Sequence, residues 1–144
     1  MPSWDEEFSK PGYRYGTEPN SFLVEMADRL PKGASVIAAG DGEGRNGVWL
    51  ASQGHRVLAL DASSVGLAKA RALAEERGVS LETAVVDLSA YAHEAASADA
   101  VVLIYVHMQL YRDARDRAKA AEVDARVAEA MKQARITSCG GKAC

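Results

Sequence analysis

Two hydrophobic periods alternate along this chain. From Pro19 to Leu30 the apolar residues Phe22, Leu23, Met26, Ala27 and Leu30 recur at helical spacing, with proline at the start and Pro31-Lys32-Gly33 closing the run. The short apolar stretch Val36 to Ala39 predicts a buried strand. A helix from Asn46 to Gln53 follows, carrying Val48, Trp49 and Leu50, with Gly54 as its stop. His55 to Leu60 predicts a second strand. Ser63 or Ser64 then caps a helix to Arg77, with Leu67, Ala68, Ala70, Leu73 and Ala74 turned inward and Gly78 ending it. Leu81 to Val86 predicts a third strand closing at Asp87. The run Ala100 to Val106 predicts a fourth, apolar on both faces as a parallel strand between helix layers requires.

Strands alternating with helices specify an α/β fold with a parallel sheet. Right-handed crossovers give it the order 3-2-1-4 and put the turn after the first strand at the switch point, where a ligand crevice opens. Beyond the fourth strand the pattern changes. Residues 109–134 read as one alanine-rich helix whose thin apolar stripe is Leu110, Ala114, Ala121, Val127, Ala128 and Met131, and residues 135–144 read as a flexible tail. Residues 1–18 lack periodicity, so the whole of 1–144 is read as one domain with an N-terminal segment. An apolar fourth strand on an open edge invites pairing. A homodimer through that strand or the long helix is therefore expected, the alternative being a monomer whose helix folds over the edge.

The chemistry concentrates at Gly40-Asp41-Gly42-Glu43-Gly44-Arg45-Asn46 and at Asp61, which ends the second strand. Alternate glycines let backbone turn sharply and approach a ligand, and the following helix points free N–H groups at the same place. A carboxylate closing the neighbouring strand suits the two hydroxyls of a ribose. The alternative readings are an ordinary tight turn, and for Asp61 a cap on the next helix. A dinucleotide site needs Gly-x-Gly-x-x-Gly. Here the third glycine comes one residue early and Arg45 occupies the dinucleotide position, which disfavours an NAD(P)-dependent oxidoreductase. Asp41 and Glu43 beside the turn suit a ligand with positive charge, such as S-adenosylmethionine with its sulfonium and ammonium. Asn46 is a good helix cap, whereas Arg45 is electrostatically unwelcome at a helix start, which points to a partner in the ligand carboxylate or the loop at Tyr15-Gly16.

Gly40-x-Gly42-x-Gly44-Arg45-Asn46, with Tyr15-Gly16-Thr17-Glu18-Pro19-Asn20 upstream and Asp61-Ala62-Ser63 and Asp87-Leu88 downstream, resembles the class I S-adenosylmethionine-dependent methyltransferases. Within them the chain looks most like the small bacterial group related to tellurite-resistance and thiopurine methyltransferases, over Trp4 to about His107. The resemblance implies a Rossmann-like three-layer αβα sandwich. It also implies a cofactor site of Tyr15, Gly40, Asp41, Gly42, Gly44, Arg45, Asn46, Asp61, Ala62, Asp87, Leu88 and Tyr105. In it Asp87 meets the adenine amino group, Leu88 lines the ring, and a lid carries Trp4, Tyr13 and Tyr15. His107 is the candidate proton acceptor for an attacking thiol, amine or selenol. The chain departs from the pattern at Ala38, where relatives carry an acidic residue for the methionine amino group, leaving Asp41 and Glu43 for that role. It departs again after the fourth strand, since relatives continue with a fifth strand and an antiparallel hairpin.

Composition trims the alternatives. A net charge of −3 gives no footprint for phosphate backbones, so a nucleic-acid partner is not expected. No apolar run nears the roughly 18 residues of a membrane span, and the acidic start Met1 to Glu7 does not read as a signal peptide, so a cytoplasmic location is expected. Cys139 and Cys144 at the far end read as reduced thiols, with no metal site. The expected function is methyl transfer to a small-molecule heteroatom nucleophile. The alternative is a non-catalytic protein or scaffold that binds S-adenosylmethionine or S-adenosylhomocysteine with an incomplete acceptor pocket.

Overall fold

The computed structural model describes residues 3–88 and 98–104. Four parallel strands, β1 (Ser35–Ala39), β2 (Arg56–Asp61), β3 (Glu82–Val85) and β4 (Ala100–Leu103), form one sheet in the order β3-β2-β1-β4. Val36 of β1 faces Val57 of β2 and Ala100 of β4, and Leu60 of β2 faces Ala84 of β3, so the carboxyl ends of all four strands share one edge. Both expected crossover helices are present, α3 (Arg45–Ser52) and α4 (Ser64–Glu76).

The sheet buries apolar side chains on both faces. Val36, Ala38, Leu50, Val57 and Ala100 pack with Leu23 in one cluster, and Ile37, Ala39, Leu60, Ala98 and Val101 form a second. Leu50, Leu60, Leu67 and Leu73 are sealed from solvent. Each such burial contributes roughly 1.5–3 kcal/mol relative to exposure. These contacts fix the strand ends, and with them the turn between β1 and α3.

Several expected elements shift. The helix read from Pro19 to Leu30 is α2 (Ser21–Met26), capped by the Asn20 side chain, followed by a single 3₁₀ turn at Ala27–Arg29. Only Leu23 of its stripe is buried, while Phe22 is 53% exposed. Ala68 also faces outward. Ser63 is the cap of α4, its hydroxyl accepting from the Gly66 N–H at 3.0 Å. Asn46 is not the cap of α3. That place belongs to Gly44, in a left-handed conformation, and Asn46 accepts instead from the Asn20 N–H at 2.8 Å. The N-terminal segment holds a helix that periodicity did not reveal, α1 (Trp4–Phe8), closed by a capping box of Ser3 and Glu6. The fourth strand is described to Leu103. Tyr105, His107, the helix expected at 109–134 and both cysteines lie outside the described residues.

Candidate functional site

The turn leaves β1 under tight backbone control. Gly40 and Asp41 both donate to the Leu60 carbonyl, at 2.7 and 3.1 Å, and Gly44 donates back to the Asp41 carbonyl at 3.0 Å. Gly40, Gly42 and Gly44 all have positive φ, at 67°, 55° and 86°, a region that side chains disfavour. Space demands glycine as well. A Cβ on Gly44 would lie 2.5 Å from the Ala70 Cβ of α4, and one on Gly42 would lie 3.0 Å from the Phe8 ring.

Asp61 ties this turn to the start of α4. Its Oδ2 accepts from the Gly42 N–H and its Oδ1 from the Ser63 N–H, both at 2.9 Å. Burial pushes its pKa up, against the pull of the Ser63, Gly42 and Ala62 N–H groups. A carboxylate offers about four acceptor sites, so these N–H groups leave Asp61 capacity to accept from a ligand.

The two acidic residues of the turn have different fates. Glu43 is already engaged: Oε2 meets Lys69 Nζ at 2.8 Å and Oε1 accepts from the Arg14 N–H at 2.7 Å. It therefore ties the N-terminal segment to α4, a partnership the sequence did not reveal. Asp41 has no such partner. Its Oδ1 accepts from the Gly47 N–H at 3.1 Å, and its Oδ2 is buried with no hydrogen-bond partner among the described residues. A Cβ on Gly47 would sit 2.3 Å from that Oδ2. Burial, with a smaller push from Asp61, raises the Asp41 pKa to about 7, opposed by the Gly47 N–H and Arg45.

Residues 5 to 20 form a strap pinned across the turn and α4. Asp5 accepts from the Ser63 hydroxyl at 2.6 Å, and Phe8 is buried against Gly42 and Gly66. Lys69 Nζ donates to the Lys10 and Gly12 carbonyls at 2.9 and 2.7 Å, and Arg77 to the Thr17 carbonyl at 3.0 Å. Arg45, the misfit at the helix start, donates to the Glu18 carbonyl at 3.3 Å and lies 6.0 Å from the Tyr15 ring. Among the described residues it thus meets the loop at 15–18.

Strap and turn enclose a cleft of about 470 Å³ lined by Trp4, Phe8, Arg14, Tyr15, Gly16, Gly40, Asp41, Gly42, Glu43, Gly44, Arg45, Asn46, Asp61 and Ile104. Of the residues expected from sequence, Tyr15, Gly40, Asp41, Gly42, Gly44, Arg45, Asn46 and Asp61 meet there. Ala62, Asp87 and Leu88 follow the carboxyl ends of β2 and β3 and are not among the lining residues. Sequence reading missed Phe8, Arg14 and Ile104. The pattern Ser3-x-x-Glu6 was the available signal for the helix that delivers Phe8.

A profile of the methyltransferase-domain family matches residues 36–132, and the chain belongs to that family. Comparison with curated proteins finds no match. Among solved structures, a TehB-like SAM-dependent methyltransferase from Corynebacterium glutamicum is 27% identical with a TM-score of 0.54, covering 70% of this chain and 52% of its own. A structure described as "Conversion of a Disulfide Bond into a Thioacetal Group during Echinomycin Biosynthesis" is 23% identical with a TM-score of 0.68, covering 85% and 53%. The magnesium protoporphyrin IX methyltransferase of Synechocystis PCC 6803 with bound SAM is 24% identical with a TM-score of 0.58, covering 76% and 49%. The last two share the fold. The chain spans about half the length of these structures.

Proposed function

We propose that this protein is an S-adenosylmethionine-dependent methyltransferase acting on a small-molecule heteroatom nucleophile. The observation that carries the reading is the cleft at the β1 turn, where Asp61, three glycines at positive φ and Arg45 face one space. Its donor set fits the cofactor. The remaining acceptor capacity of Asp61 suits a ribose hydroxyl, Arg45 has no ion-pair partner among the described residues and suits a carboxylate, and Asp41 supplies negative charge for the sulfonium and ammonium. When bound, the cofactor supplies an electrophilic methyl group on a good leaving group. The chain's own work is then to hold the reactants in line and exclude water, where orientation can contribute about 7–11 kcal/mol.

His107 is proposed to take the acceptor's proton, with Tyr105, Asp87 and Leu88 completing the adenosine side. Membership of the tellurite-resistance and thiopurine-like group is part of the same proposal and is supported by the TehB-like neighbour. A homodimer through β4 or the expected C-terminal helix belongs to the proposal on its own ground, the apolar edge strand. Calorimetric titration with S-adenosylmethionine, S-adenosylhomocysteine and NADH tests the cofactor reading. Micromolar binding of the first two is expected, weakened at least tenfold in Asp61→Ala. Binding of NADH alone, or of none, would overturn it. Turnover of a thiol, amine or selenol acceptor then separates an enzyme from a binding protein.

A further inference from the structure

The turn places two carboxylates against the cleft, and the structure commits one of them elsewhere. Glu43, with its side chain 5% exposed, is neutralised by Lys69 from α4 and holds the Arg14 backbone. That leaves Asp41. It lines the cleft, its Oδ2 is buried without a partner among the described residues, and the missing side chain of Gly47 makes the room for that oxygen. A buried carboxyl oxygen with nothing to bond is costly when charged.

The surroundings define what can relieve that cost. From β2, Asp61 adds negative charge; from α3, Arg45 adds positive charge and the Gly47 N–H donates one hydrogen bond. On the strap side, Arg14 is spoken for by Glu7. Burial outweighs the favourable groups and pushes the Asp41 carboxyl up to about 7. The balance rests on a single added charge. A cation entering the cleft favours the ionised carboxyl, because opposite charges a few ångströms apart in a low-dielectric site interact strongly.

Resting on the functional reading above, we infer that Asp41 is a proton-linked counter-charge for a cationic ligand, neutral in the empty cleft and ionised when the ligand binds. The carboxyl O–H bond breaks, the proton passes to solvent, and no covalent bond forms to the ligand. Affinity for S-adenosylmethionine then depends on the fraction of Asp41 that is ionised. It falls roughly tenfold between about pH 8 and pH 6, as the competent fraction falls.

Calorimetric titration of the whole chain with S-adenosylmethionine, in two buffers of different ionisation enthalpy at each pH, reads the protons released. The wild type is expected to release most of one proton per site near pH 6 and little near pH 8. Asp41→Asn keeps the shape of the side chain and is expected to lose that release, with one weak affinity at both pH values relative to the wild type at pH 8. Binding by the wild type with no proton released across this range overturns the inference, whether or not the variant folds. Equal release in wild type and variant overturns it too. Absence of binding at every pH removes the functional reading and this inference together, whereas binding without release removes this inference alone.

Discussion

Gly44 shows how much a single residue can decide. It combines a positive φ of 86° with a place where a Cβ would lie 2.5 Å from the Ala70 side chain and 2.9 Å from its backbone. Gly44→Ala is therefore expected to destabilise the fold by about 3 kcal/mol, summing left-handed strain and overpacking. Gly78→Ala, at φ 68° in open space, is expected to lose only about 1–2 kcal/mol for the strain. Chemical denaturation of the two variants checks the difference, and equal losses would mean that packing at Gly44 yields. The glycines were legible in the sequence because the backbone requirement is local. The fates of Asp41 and Glu43 were not. Two acidic residues two positions apart look alike until Lys69 and the Arg14 backbone arrive from distant parts of the chain to claim one of them.

At the level of elements, strands, crossover helices and sheet order were readable, since buried parallel strands and glycine-ended helices leave strong periodic marks. The helix α1 was not, because five residues make too little periodicity to register. Asp5 and Phe8 hold α1 itself, and the strap that follows it is anchored by Lys69, which links the Lys10 and Gly12 carbonyls to Glu43. Lys69→Met keeps the aliphatic stem and removes all three bonds. Because Lys69 is partly exposed, the expected loss of stability is about 2 kcal/mol. The more telling readout is local: trypsin is expected to cut after Arg14 at least tenfold faster while the sheet stays folded. Unchanged cleavage would show that Phe8 and Asp5 hold the strap without this lysine.

For the molecule as a whole, the carboxyl groups at the turn add a definite sign to how stability responds to acidity. Asp41 titrates near 3.8 when unfolded and at about 7 when folded, and Asp61 is shifted in the same direction. Between those values the folded chain keeps protons that the unfolded chain has released. The stability that Asp41 contributes to the ligand-free protein is full below about pH 4 and is lost as pH rises toward 7, at up to about 1.4 kcal/mol per pH unit, and Asp61 acts in the same direction. Thermal midpoints of wild type and Asp41→Asn, followed from about pH 5 to pH 7, are expected to differ in slope, the wild type falling more steeply. Parallel curves would mean that Asp41 does not titrate there. The same cleft carries its own optical reporter. Of the two tryptophans, Trp49 packs against the core from α3, whereas Trp4 lines the cleft with its ring 5.2 Å from Phe8 and the Arg14 guanidinium 5.9 Å away. Tryptophan emission from a Trp49→Phe variant therefore arises from the cleft wall alone. Its intensity is expected to change in a saturable way as the cleft fills, which turns ligand discovery for this protein into a label-free fluorescence titration.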